Sequence, residues 1–196
     1  MEEKLQEKAV LVGLNITTNV KKIDDIDINE SMEELKELVK AAGAEVLASV
    51  IQNKPARDAA YFIGKGKVEE IRDYCQMLGA TMIVFNDELS GAHMRNIEDV
   101  TGLKVIDRTA LILDIFAQRA LSKEGKLQVE LAQLKYRLPR LYGMGGEMSR
   151  TGAGIGTRGP GEQKLEIDKR IILNKIADIR KELKEVSKNR ETQRVQ

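Results

Sequence analysis

The chain has no tryptophan, one cysteine and few aromatics, which make up 4% of its 196 residues. Cys75 alone excludes an internal disulfide framework and fits a reducing compartment. No apolar run approaches the roughly 20 residues needed to cross a bilayer. The first ten residues, MEEKLQEKAV, are too polar for a signal peptide. The single histidine, His93, has no cysteine or carboxylate pattern of metal-ligand spacing around it and reads as a helix-surface residue. Nothing in the chain forms a convincing nucleophile–base pair. The acidic cluster Asp24, Asp25, Asp27 lacks the spacing and terminal glutamate of a calcium loop.

Charge is abundant instead, at 32% of residues, and with so few aromatics this points to much exposed helix. The net charge of +1 conceals a division. Residues 1–116 carry 14 Lys/Arg against 21 Asp/Glu, a net of −7, and residues 117–196 carry 18 against 10, a net of +8. The acidic half disfavours a polyanion, and the basic half suits nucleic acid or an acidic surface.

The first half alternates strand-like and helix-like segments. KAVLVGLNI (Lys8–Ile16), EVLASVIQ (Glu45–Gln52), TMIVFN (Thr81–Asn86) and LKVID (Leu103–Asp107) are short apolar runs of strand character. Between them lie helix patterns. The first has Ser31 as N-cap, Glu34 at the capping-box position, a face of Leu35, Leu38 and Val39, and Gly43 as stop. The second surrounds GKVEEIRDYCQMLG, which places Cys75 in the core, and the third is SGAHMRNIEDVTG. This order predicts an α/β fold, a small parallel sheet flanked by helices, over residues 1–108.

Residues 109–196 read as a helical subdomain. TALILDIFAQRAL opens it, with Thr109 as the capping residue. Leu127, Leu131, Leu134, Leu138 and Leu141 then form one heptad seam, and Leu165, Ile172, Ile176, Ile179, Leu183 and Val186 form a second. Two seams joined by one loop predict a long antiparallel, coiled-coil-like helical hairpin. Gly125, near the start of the first long helix, is expected to weaken or bend it. Seams of this kind also admit pairing with another chain, which would make this a protein-interaction module.

The joint, residues 143–162, is the most distinctive stretch. Eight of the chain's 16 glycines fall between Gly143 and Gly161. Gly152, Gly154, Gly156, Gly159 and Gly161 let the backbone approach a partner closely or adopt positive φ. Arg150 and Arg158 flank this run, and Lys164, Lys169 and Arg170 follow it. Arginine forks onto phosphate or stacks on a base, so these ten residues are the candidate RNA-binding set, reading phosphate and shape more than sequence. A disordered connector is the plain alternative, though a connector needs neither an arginine pair nor Pro160. GAGIGTRGPGEQK lacks the Lys-Ser/Thr of a P-loop and any strand feeding it, and GAGIGT misses the G-x-G-x-x-G spacing. A second anion site is conceivable at Gly64, Lys65, Gly66 and Lys67, where two glycines and two lysines open a helix; a plain turn explains the same pattern.

At GTRGPGEQKLEIDKR (Gly156–Arg170) the chain resembles the HflX family of ribosome-associated GTPases. The likeness extends through Asp107–Leu141 and through YFIGKGKVEEI (Tyr61–Ile71), and so covers most of the chain. The resemblance implies an amino-terminal α/β subdomain, a hairpin with the Gly-rich loop at its tip, and then a GTPase domain. It implies a cytoplasmic protein, in part ribosome- or membrane-associated, that binds the large ribosomal subunit with the tip reaching toward the peptidyl-transferase centre and that can split stalled ribosomes. The chain departs from the whole pattern, since it ends at SKNRETQRVQ without a Walker lysine or an Asn-Lys-x-Asp. GTP and magnesium therefore belong to the GTPase domain of the family, and no cofactor is expected in this chain. The family has also been linked to adenine nucleotides through this part, for which Gly64–Lys67 is the candidate position. That makes an ATP-hydrolysing module the rival expectation.

Overall fold

A computed structural model gives the structure of the protein. It describes residues 6–18, 27–141 and 160–194, of which 160–165, 191, 193 and 194 as backbone only. The chain divides into two compact units, Met1–Ile115 and Phe116–Gln196.

The first unit is built on four strands, β1 (Lys8–Ile16), β2 (Glu45–Lys54), β3 (Met82–Phe85) and β4 (Lys104–Asp107). They form one sheet in the order β2-β1-β3-β4, and every pair is parallel, as the alternating pattern predicts. β1 is interior to the sheet, and its near-continuous apolar run is what burial on both faces requires. The path from β1 to β2 moves one way across the sheet, whereas β2 to β3 and β3 to β4 move the other way. Right-handed crossovers must then put α1 (Ile28–Ala41) on the face opposite α2 (Lys65–Leu78) and α3 (Gly91–Thr101). The core obeys this. Val68, Ile71 and Cys75 of α2 and Ile97 of α3 pack with Val10, Val12, Ile83 and Phe85. Met32, Leu35 and Val39 of α1 pack with Leu11 and Val84, joined by Leu111 and Ile115 of α4 (Arg108–Arg119). Each such Leu, Ile or Val contributes about 1.5–3 kcal/mol by leaving water.

Helix starts differ from the sequence reading in two places. α1 is capped by Asp27, whose carboxylate accepts from the Asn29 N–H at 3.1 Å, and not by Ser31. Ser31 lies within the first turn, where its hydroxyl accepts from Asn86 Nδ2 at 2.9 Å and Arg108 Nη1 at 3.3 Å. α4 begins at Arg108, one residue before Thr109, because Asp107 caps it: one oxygen accepts from the Ala110 N–H at 3.0 Å and the other from Leu89 N–H at 2.9 Å. The α2 and α3 stops, Gly79 and Gly102, take the left-handed conformation with φ of 71° and 67°. β2 runs to Lys54, two residues past the expected end, because its pairing with β1 continues through Ile16↔Lys54.

The second unit holds α5 (Lys123–Leu141) and α6 (Pro160–Arg194). Gly125 neither bends nor breaks α5. It sits in the first turn, where its N–H donates to Ser122 Oγ at 2.9 Å. A Cβ there would meet that same oxygen at 2.9 Å, so an added side chain would require the Ser122 hydroxyl to shift.

Candidate nucleic-acid interface

α5 and α6 close their seams on each other. Leu127, Leu134, Ile172, Ile176 and Ile179 are buried together, flanked by half-buried Leu131, Leu138, Leu141, Leu183 and Val186. Three interhelical ion pairs fix the direction: Lys175–Glu130 at 2.7 Å, Lys123–Glu182 at 3.6 Å and Arg190–Glu124 at 2.9 Å. As numbering falls along α5 it rises along α6, so the helices are antiparallel. Every seam residue inferred from the heptads takes part except Leu165, whose side chain lies outside the described residues. At its 35 residues, α6 is about 52 Å long.

The candidate RNA-binding residues fall, in sequence, between α5 and α6 and in the first turns of α6. α5 stops at Leu141, two residues after Pro139, and α6 starts with Pro160, whose fixed φ suits a first helical position. Residues 160–162, read as loop in the sequence, are thus helical. Arg150, Gly152, Gly154, Gly156, Arg158 and Gly159 lie outside the described residues. Gly161 and Lys164 fall in the first turns of α6, and Lys169 and Arg170 lie one to two turns further on. Near the end of α5, the Arg140 guanidinium lies over the Tyr136 ring at 3.5 Å and donates to the Tyr136 carbonyl at 2.7 Å.

Basic residues line one side of α6, with Glu166 and Glu185 beside them. At about 100° per residue, Arg170, Lys181, Lys184 and Lys188 fall within about 60° of one another, roughly opposite the seam. All four are exposed, and none has an acidic partner within 4 Å among the described residues. The ridge from Arg170 to Lys188 is about 27 Å long. Lys175 and Glu182, which make interhelical pairs, lie on a different flank. The helix therefore uses one edge for α5 and keeps a row of exposed cations on another side, a pattern suited to successive phosphates.

The second candidate position is assembled as a helix start. Gly64 is the N-cap of α2 with no side-chain cap, and its own N–H donates to Gln52 Oε1 at 2.8 Å. Lys65 is exposed at the first helical position, and Gly66 has open space around it. Lys67 turns along the helix to Glu70 at 2.8 Å, away from the helix start. Together with Val50, Ile71 and Tyr74, Lys67 and Glu70 line a pocket of about 270 Å³. A cation that the sequence reading missed stands closer to the helix start. Lys54 Nζ lies 3.7 Å from where a Gly64 Cβ would be, a neighbour visible only once β2 is known to extend to residue 54.

The segment leading into α2 is tightly organised. The Asp58 carboxylate accepts from the N–H groups of Tyr61 at 2.7 Å and Ala60 at 2.8 Å, which hold its pKa below the usual carboxylate value. Phe62 is buried with φ of 66°, a conformation a bulky residue takes only under constraint. Its ring meets Phe85 at 6.3 Å, His93 at 5.5 Å and the Arg57 guanidinium at 5.4 Å. His93 is more than a helix-surface residue. It completes a capping box with Ser90, its Nδ1 accepting from the Ser90 N–H at 3.3 Å, and its Nε2 lies 3.0 Å from the Ala59 carbonyl. A neutral ring with the proton on Nε2 satisfies both contacts, so the histidine joins α3 to this segment.

Where the strand order reverses, between the carboxyl ends of β1 and β3, open α/β sheets commonly place ligands. Here burial pushes the Asp87 carboxyl up, opposed by Arg57, a Leu14 backbone hydrogen bond and Arg108. Arg108 is itself occupied: Nη1 donates to Asn86 Oδ1 at 2.8 Å and Nη2 pairs with Glu34 at 2.6 Å. The crevice thus works as a clamp between α1 and the sheet. Among the described residues no His/Cys/Asp/Glu group has metal-binding geometry, and no helix is long and apolar enough to cross a membrane.

This combination, a four-stranded parallel α/β unit with a helical hairpin, is a known pair of protein regions. Residues 29–117 match the GTP-binding GTPase N-terminal model, and residues 119–196 match the GTP-binding GTPase Middle Region model. Among curated relatives, GTPase HflX of Caldanaerobacter subterraneus subsp. tengcongensis is 52% identical over 96% of this chain and 42% of its own length. GTPase HflX of Lacrimispora saccharolytica is 48% identical over 99% of this chain and 44% of its own length. The chain belongs to the HflX family, as its N-terminal and middle regions, and spans less than half the length of these relatives. A crystal structure of a GTP-binding protein from Sulfolobus solfataricus in complex with GDP shares the fold. Its TM-score is 0.62 at 23% identity, over 93% of this chain and 46% of that one.

Proposed function

We propose that this chain is the ribosome-contacting part of an HflX-type GTP-binding protein, acting in the cytoplasm on the large ribosomal subunit. The hairpin is a stiff arm. Its tip, with Arg150, Gly152, Gly154, Gly156, Arg158 and Gly159, enters ribosomal RNA, and Gly161, Lys164, Lys169 and Arg170 at the start of α6 follow along phosphates. GTP and magnesium act in the carboxy-terminal portion that the relatives have beyond this chain, and subunit splitting belongs to that whole protein. The observation that carries the reading is the pair of seams closed on each other, with a Gly-rich basic segment between Leu141 and Pro160 and a cationic ridge on the outer side of α6.

Co-sedimentation of the chain with isolated large subunits at two salt concentrations tests it. Replacing Arg150 and Arg158 together by alanine removes two phosphate contacts. The slope of log affinity against log salt should fall by roughly 1.4–1.8, at about 0.7–0.9 per phosphate. Unchanged affinity with an unchanged slope would take the tip out of the mechanism. The competing idea, heptads that pair with another chain, is disfavoured because the same residues already cover each other.

A second reading has one favouring observation, the start of α2 at Gly64, which has no side-chain cap and has Lys54 Nζ nearby. In it Gly64, Lys65, Gly66 and Lys67 hold the phosphates of an adenine nucleotide. Saturable ATP binding, lost in a Lys65→Gln/Lys67→Gln variant, would support it; equal binding by both proteins would end it.

A further inference from the structure

The two edges of the sheet differ. β4 closes one side with four residues and β2 the other with ten, and among the described residues no strand pairs with the outer side of β2. From Val46 to Asn53 that strand carries neither charge nor proline, the residues that ordinarily keep an open edge from pairing. Its charges stand at the two ends, Glu45 and Lys54. The register shift against β1 falls opposite Val46–Ala48, so the stretch from Ala48 to Lys54 runs regularly. Thr17 N–H donates to the Lys54 carbonyl at 2.9 Å, which turns the backbone groups of Lys54 toward β1. Alternation turns those of Val50 and Gln52 the same way and leaves those of Ser49, Ile51 and Asn53 on the open side.

A groove lies along this edge on the α2 face. Val50 of β2 and Lys67, Glu70, Ile71 and Tyr74 of α2 line its pocket of about 270 Å³. Tyr74 is 37% exposed, and Met77, three residues further along α2, is 73% exposed. A strand edge beside a helix wall accepts an added strand: backbone bonds supply affinity, and the pocket takes an alternate side chain. Charge selects what is added. Val46 packs with the cluster on the α1 side, so its neighbour Glu45 stands on the α2 side. Lys54 is on that side too, its Nζ 3.7 Å from where a Gly64 Cβ would be. Laying a second β2 antiparallel on the first puts the Lys54 end of each against the Glu45 end of the other, unlike charges on one face. Parallel pairing would set like against like.

We infer that the open edge of β2 and the α2 groove beside it form a self-association surface, which joins two copies of this chain into one continuous sheet. A two-fold axis at Val50 opposes Ser49 of each copy to Ile51 of the other, and their open N–H and C=O groups bond each other. Val50 then meets Val50 of the second copy as a non-hydrogen-bonded pair, the kind in which side chains approach most closely. The axis is perpendicular to the sheet, so the two α2 helices share one face and their grooves meet. The surface lies wholly within the first unit and needs neither the hairpin nor RNA.

Sedimentation equilibrium of the 196-residue chain over a range of concentrations, joined to amide exchange, tests this. The chain should pass from monomer to dimer as concentration rises. At about nine-tenths dimer, exchange of the Ser49 and Ile51 amides should slow about ten-fold, because it then proceeds through the remaining monomer. The Val50 and Gln52 amides, which face β1 in either state, should slow far less. Tyr74→Lys sets like charges against each other across the joined grooves. It should fold as before in dilute solution and weaken dimerisation by at least about ten-fold. A chain still monomeric at about 1 mM overturns the inference and leaves the edge to an extended segment of another protein. A dimer whose Ser49 and Ile51 amides exchange as in the monomer overturns it too, and assigns association to another surface, such as the helix seams. Undiminished dimerisation of Tyr74→Lys also refutes it.

Discussion

Ile171 and Ile172 are the same residue type at adjacent positions of one helix, and the hairpin treats them oppositely. Ile172 is 6% exposed in the seam, whereas Ile171 is 56% exposed. Replacing either by alanine removes three carbons. At about 0.8 kcal/mol per buried methylene, Ile172→Ala should cost about 2.4 kcal/mol in transfer free energy. A cavity term adds to this, but a two-helix seam is open along both flanks and can close on the gap, so the loss should stay near 2–3 kcal/mol. Ile171→Ala gives up little buried surface and gains slightly in helix propensity, so its effect should lie within about 0.5 kcal/mol of zero. Urea unfolding followed by circular dichroism measures both. Because the two units can open separately, amide exchange in α6 should accompany it, to assign the loss to the hairpin. Equal losses at the two positions, or a larger one at Ile171, would mean that the seam does not pass through Ile172 and that the antiparallel pairing is wrong.

Asp58→Ala should destabilise the first unit by about 0.5–1.5 kcal/mol at neutral pH, since two backbone donors exchange their carboxylate acceptor for water. The folded-state pKa of Asp58 lies below its ordinary value of 3.8, so the ionic part of its contribution is present above that value and is lost as pH falls through the folded pKa. The gap between the two proteins should therefore narrow in acid, and a gap constant down to pH about 2 would refute the assignment. Gly125→Ala should fail to deliver the gain of about 1 kcal/mol that alanine brings inside a helix, because the new Cβ meets the Ser122 hydroxyl at 2.9 Å. Made on a Ser122→Ala background, the same change should recover that gain. Thermal unfolding of the three variants checks it, and a full gain in the single mutant would show that the cap is dispensable.

What the sequence revealed, and what it hid, follows the range of the interactions concerned. The seams were legible because a heptad is local: Leu127, Leu131, Leu134 and Leu138 need only helical geometry to share a side, and the pattern repeats often enough to outweigh chance. β1 was legible for a similar reason, since burial on both faces leaves an uninterrupted apolar run. The start of α1 was not. Asp27 and Ser31 both carry capping chemistry, and what decides between them is that Asn86 and Arg108, 55 and 77 residues away, take the Ser31 hydroxyl into their own network. Lys54 was missed beside Gly64 for the same reason, since only strand pairing with Ile16 brings it there. His93 had no metal pattern around it, yet it gained a role from three backbone or ring neighbours that no spacing encodes.

The same distinction bears on the candidate interface. The ten tip and flank residues were chosen for local reasons, namely glycine density and adjacent cations, and such reasons show that a segment suits phosphate without showing where it is held. The hairpin supplies what local pattern could not. Closing the seams leaves α6 one free side, and on that side stand Arg170, Lys181, Lys184 and Lys188, which are scattered when read in order. Had α5 packed on the opposite edge of α6, these cations would have been covered, and Lys175 and Glu182 would have lost their partners on α5. Partner choice within the hairpin therefore determines which charges a polyanion could meet, and the Ile171/Ile172 comparison tests that choice without any RNA present.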